Sequence, residues 1–190
     1  DGSNGKVVLN GGVNVTTADV AASNGTIHIV DRVLLPSIVD TAVGYKDGAA
    51  EFKTLVTAVT AADLGATLSG PGTLTVFAPT DAAFAALKTS LGDTKWNALL
   101  ADKTKLARVL KYHVLGSVAF AKDVKSGQVD TLAGATDKLT LSVAAGQVTV
   151  TDAATPAGGK PASVVLADLP TSNGVIHVID RVLVPANLGL

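Results

Sequence analysis

The sequence predicts an α+β domain preceded by a short β segment. Apolar residues at helical spacing are confined to residues 37–114, and strand-like spacing dominates 115–185. The third observation is a repeat. Ala22 to Pro36 reads ASNGTIHIVDRVLLP and Thr171 to Pro185 reads TSNGVIHVIDRVLVP, with ten of fifteen positions identical at an offset of 149 residues. Asp19 and Asp168 keep that offset, so the match extends upstream. A spacing of this size is that of a domain rather than of a solenoid repeat. The boundaries expected are therefore a partial repeat over 1–36 and a complete domain over 37–190.

Taken in order, Lys6 to Leu9, Val13 to Thr17 and Thr26 to Leu35 read as strands separated by Asn-Gly, Gly-Gly and Ser-Asn-Gly turns. Alternation places Ile27, Ile29 and Asp31 on one face of the last strand and His28, Val30 and Arg32 on the other. Ser37 caps a short helix to about Val43. Phe52, Leu55, Val56 and Val59 fit an amphipathic helix over 48–62. After a turn at Ser69 to Gly72, Leu74, Val76 and Ala78 alternate in a strand ending at Pro79.

Thr80 and Asp81 then supply an N-cap and a first-turn carboxylate for a helix carrying Phe84 and Leu87. Trp96, Leu99 and Leu100 form a further apolar turn, and Leu106, Val109, Leu110 and His113 share one face of another helix. Strands follow at 128–132, 138–143, 147–151, 163–166 and 175–184, with a Gly/Pro-rich loop over 153–161.

Composition narrows the function classes. The chain has 190 residues, 47% hydrophobic and 16% charged, which argues for a packed core and against disorder. Net charge is −1 with scattered Lys and Arg, so no footprint for nucleic acid is present, and no apolar stretch is long enough to span a bilayer. Cysteine is absent, which excludes disulfides and thiolate metal sites. The opening Asp1 and the lack of a leader-like stretch point to a mature protein or an excised fragment. Asn14-Val-Thr and Asn24-Gly-Thr match glycosylation acceptor patterns.

Three motifs in a fixed order carry a resemblance. They are Thr73-Leu-Thr-Val-Phe-Ala-Pro-Thr-Asp-Ala-Ala-Phe84, Tyr112-His113 with Val114-Leu115, and Asn173-Gly-Val-Ile-His-Val-Ile-Asp-Arg-Val-Leu-Val-Pro185. The chain resembles the fasciclin-like (FAS1) domain family over about 37–187, while 1–36 resembles only the closing part. The resemblance implies a seven-stranded β-sandwich wedge with helices alongside, used in secreted or cell-surface adhesion proteins. It also implies receptor contact at Tyr112 and His113 and at the Asp168-Leu169 pair, with Asp19-Val20 as its counterpart in the partial copy. The residues themselves favour structural roles for Thr80, Asp81, His177, Asp180, His28 and Asp31.

No Gly-x-Ser-x-Gly, His-Glu-x-x-His or phosphate-binding loop is present, and two of the three histidines are one repeat position. The expectation is a non-enzymatic module without a cofactor. It would contact surface or matrix proteins, or glycans, and self-associate through residues 1–36. Binding of a small apolar ligand such as a carotenoid is the alternative, against which the four Phe, two Tyr and one Trp offer few ring platforms. A bare set of closing strands cannot bury a core by itself. It must pair with a missing upstream segment, add to a sheet edge, or form its own small sheet.

Overall fold

The computed structural model describes residues 7–9, 13–45, 51–155 and 160–189. They fall into two compact units, residues 1–36 and 37–190. The first is a three-stranded antiparallel sheet of β1 (Val8–Leu9), β2 (Val13–Ala22) and β3 (Gly25–Val30), in that order. Strand β2 runs five residues beyond the expected Thr17, and β3 stops at Val30 rather than Leu35. The expected strand start at Lys6, helix residues 48–50 and loop residues 156–159 lie outside the described residues.

The second unit opens with α1 (Ile38–Gly44), capped by Ser37 through a reciprocal capping box with Asp40. Then come α2 (Lys53–Ala61), α3 (Gly65–Ser69), β4 (Leu74–Pro79), α4 (Asp81–Ala101) and α5 (Lys103–Tyr112). Helix α3 is an addition to the sequence reading; five residues are too few to show a helical period. The helix expected around Phe84 and the apolar turn expected around Trp96 both belong to α4, whose path breaks at Gly92 with φ of 76°. The chain continues through β5 (Val114–Leu115), β6 (Gly127–Thr131), β7 (Gly134–Ala144), β8 (Gln147–Thr151), β9 (Ala162–Thr171) and β10 (Gly174–Ile179).

Seven strands form one ladder in the order β5-β4-β10-β9-β8-β7-β6. Strand β9 turns the corner: Ala162 and Ser163 pair with β8, while Val164 to Thr171 pair with β10. The result is an α+β wedge of about 30% helix and 37% strand. The β4–β10 pair is parallel, with Ile176 opposite Val76 and His177 opposite Phe77. Both faces of β10 are therefore covered. Ile176 and Val178 pack with α1, α2, α4 and α5 in one core, and Ile179 packs with Phe77, Tyr112, Leu139 and Val150 in another. Burial on two sides explains why the last strand reads as a nearly continuous apolar run.

Candidate functional site

The residues singled out by sequence converge on the closing hairpin, β9 and β10. Asp168 lies inside β9 rather than in a loop, at a bulge where its φ is 60°. Aspartate tolerates this left-handed backbone better than most residues. A bulge frees an amide from the ladder, and the Asp168 N–H donates to His177 Nδ1 at 3.2 Å. That fixes the tautomer, so Nε2–H donates to the Ala119 carbonyl at 2.8 Å. The Asp168 carboxylate accepts the Ala121 N–H at 2.8 Å. Asp180 closes the opposite end of the hairpin by accepting the Ser163 N–H at 2.7 Å.

Asn173, which reads from sequence as a turn residue, is buried and anchors the hairpin to the helices. Its Oδ1 accepts the Ile38 N–H at 3.0 Å, and its amide donates to the Leu68 and Gly70 carbonyls at 2.7 and 2.9 Å. One residue on, β4 comes so close that a Cβ on Gly174 would sit 2.0 Å from the Leu74 carbonyl oxygen.

Tyr112 and His113, where receptor contact is expected, are both buried, and their polar atoms are bonded within the unit. The Tyr112 hydroxyl donates to the Lys138 carbonyl and accepts the Ala153 N–H. His113 Nδ1–H donates to the Val109 carbonyl while Nε2 accepts the Leu183 N–H at 2.9 Å. Burial lowers the His113 pKa to about 4, so the ring is neutral near pH 7. Leu169 is also turned partly into the core. Thr80 caps α4 by accepting the Ala83 N–H, but Asp81 does more than the expected first-turn role. Its carboxylate accepts the Thr54 and Lys53 N–H groups, and so caps α2 from the start of α4.

A further charged pair was not legible in the sequence. Arg108 Nε and Nη2 donate to the two oxygens of buried Asp137, both at 2.7 Å. The hydrogen bonds from Arg108 hold the Asp137 carboxyl below its usual range.

Residues 13–36 repeat the hairpin in detail. Asp19 has φ of 58°, its N–H donates to His28 Nδ1 at 3.2 Å, and Asp31 accepts the Asn14 N–H at 3.0 Å. The surroundings differ. Ile27, Ile29, Val33 and Leu34 are 52, 48, 78 and 46% exposed, whereas their counterparts Ile176, Val178, Val182 and Leu183 are at most 2% exposed. Val20 is likewise exposed, and a Cβ on Gly25 would meet nothing within 4 Å. Among the described residues no strand pairs with the edge of β3 that corresponds to the β4 side of β10. Fully burying each of those four side chains is worth roughly 1.5–3 kcal/mol, so the hairpin leaves apolar surface uncovered that its twin buries.

Other candidate chemistry is sparse. An apolar cavity of about 70 Å³ lies between α1, α2 and the sheet, bordered by Ile38, Leu55, Val59, Val76 and Ile176. That volume is below what an elongated pigment occupies, whereas open clefts of about 620 and 600 Å³ lie beside Leu115, Val129 and Leu141 and beside Val43, Phe52 and Val56. Among the described residues no cluster of three or more His, Asp or Glu is placed to hold a metal ion. None of their helices is long and apolar enough to cross a membrane.

Comparison with known proteins agrees with this geometry. The profile of the Fasciclin domain family matches residues 1–36 and 50–185. Protein sll1483 of Synechocystis sp. is 44% identical over 149 residues, spanning 78% of this chain and 73% of the relative. Transforming growth factor-beta-induced protein ig-h3 of Sus scrofa is 35% identical over 172 residues, spanning 90% of this chain but 23% of that protein. A solved FAS1 domain pair from the insect cell adhesion molecule Fasciclin I superposes with a TM-score of 0.63 at 20% identity, covering 94% of this chain and 62% of that one.

Proposed function

Because this chain belongs to the Fasciclin domain family, we propose that it is an extracellular or cell-surface adhesion module that works through protein contacts and the joining of fasciclin units. It is not an enzyme. Most of the polar residues marked by the sequence motifs are spent on holding strands and helices together. His177, Asp168, Asn173 and Asp81 each bond backbone groups of another segment.

The observation that carries the reading is the duplicated hairpin with its exposed face. The insect structure, described as a domain pair from an adhesion molecule, supports reading residues 1–36 as the closing strands of a preceding unit. In this reading the complete unit spans 37–190, and residues 1–36 are the joint by which units are strung in tandem or in a filament. Partner contact at Asp168-Leu169 is confined to the exposed part of the Asp168 carboxylate, while both residues of the Asp19-Val20 pair are exposed.

Attachment is the test. A surface coated with the purified chain should hold cells or beads carrying matrix proteins or glycans above an albumin-coated control. Chain that is folded by circular dichroism but holds none of them would sink the proposal. Deleting residues 1–36 should leave residues 37–190 folded by circular dichroism, and an unfolded remainder would refute the division into a joint and a complete unit.

A further inference from the structure

The exposed hairpin carries a template for what covers it, because its twin is covered. In the complete unit four features of 162–185 are met by the part of the chain before β9. The Asn173 side chain meets the Ile38 amide and two carbonyls near α3, and its own carbonyl accepts the Leu74 N–H. Gly174 admits Leu74, and β10 pairs in parallel with β4 along Leu74 to Pro79. His177 Nε2–H meets the Ala119 carbonyl. Ile176, Val178 and Val182 meet the helical core.

Residues 13–36 retain each of these groups as Asn24, Gly25, His28, Ile27, Ile29 and Val33. Among the described residues none has the partner its twin has. The His28–Asp19 bond already orients Nε2–H outward from the hairpin, as it does at His177.

We propose that residues 13–36 are a docking site for the opening half of another fasciclin unit, a segment with the chemistry of residues 37–155 but without a closing hairpin of its own. Its β4-like strand pairs in parallel with β3, with its equivalent of Val76 opposite Ile27. This rests on the reading of residues 1–36 as closing strands and names what they close.

Two competing occupants fail on geometry. The opening half of the same chain cannot turn back onto β3. In the closed unit the Ile38 N–H is held by Asn173, just past the end of β9. The Val184 N–H is held by Asp152, beyond the Val150–Ala162 pair at the start of β9. Strand β9 is ten residues long, about 30 Å. Pro36, the counterpart of Pro185, is bonded directly to Ser37 and cannot occupy the opposite end. A second intact copy is also closed, because its β4 is already paired to β10 and β5.

The test is a tandem polypeptide in which residues 37–160 of this sequence are placed ahead of residue 1 of the full chain. Hydrogen exchange at Gly25 to Val30 should slow by at least about 100-fold relative to the full chain alone, approaching Gly174 to Ile179 in the same molecule. Gly25→Val should abolish that protection in the tandem yet leave the untouched chain unchanged, because only a docked β4-like strand crowds that position. Unprotected 25–30 beside a protected 174–179 would overturn the proposal. So would concentration-dependent protection of 25–30 in the full chain alone, which would mark pairing between intact copies. Failure here leaves the attachment assay untouched, and failure of attachment with a protected tandem sinks the adhesion reading alone.

Discussion

Replacing Asn173 and Asn24 separately by alanine sets the same substitution in two environments. Asn173→Ala orphans the Ile38 N–H and the Leu68 and Gly70 carbonyls at a buried junction of α1, α3 and the start of β10. An unsatisfied buried group costs about 1–3 kcal/mol. Partial rehydration reduces a sum over three partners, so the expected loss is about 3–5 kcal/mol, a large fraction of a typical domain's stability. Asn24 is exposed and bonds none of those groups, so Asn24→Ala should change stability by less than about 0.5 kcal/mol. Urea unfolding followed by Trp96, the only tryptophan, reports on the complete unit, and far-ultraviolet circular dichroism follows the strands of both units. A loss below about 1 kcal/mol for Asn173→Ala would refute the anchoring role. Equal losses for the two variants would refute the difference between the hairpins.

Two further outcomes follow from the same geometry. His113 is neutral in the fold with its pKa lowered to about 4 from 6.5, so its stabilising contribution is complete above pH 6.5 and is lost as pH falls towards 4. The unfolding free energy of residues 37–190 should fall by roughly 3 kcal/mol as pH drops across that window, and a slope that persists in His113→Gln would show that another group is responsible. Gly174→Ala must push β4 from β10 and should cost at least about 3 kcal/mol, while Gly25→Ala should stay within about 0.5 kcal/mol. Thermal unfolding of both variants checks the pair, and a mild Gly174→Ala would contradict the close approach.

The sequence shows the class of each long element because local patterns determine it. Phe52 to Val59 carry the period of α2, and Ser37 and Thr80 mark helix starts by their caps. It does not show what long-range pairing determines. The period of two in Ile27 to Val30 is identical to that in Ile176 to Ile179, yet the first strand is exposed and the second is covered on both faces. Asp168-Leu169 reads as a loop beyond the strand at 163–166 because the bulge interrupts alternation, whereas β9 runs on to Thr171. Asn173 reads as a turn residue since its partners lie over a hundred positions away. Its one local signal is the shared Ser-Asn-Gly of the repeat. The Arg108–Asp137 pair carried no signal at all, being two charges on separate elements.

The central claim is that one chain holds two copies of a closing hairpin, one closed and one open. Amide hydrogen exchange on the unmodified chain tests it most directly. Amides of Gly174 to Ile179 should exchange only with global unfolding of the complete unit. Those of β3 that face away from β2 should exchange at least about 1,000-fold faster. Equal protection of Gly25 to Val30 and Gly174 to Ile179 in dilute solution would contradict the claim.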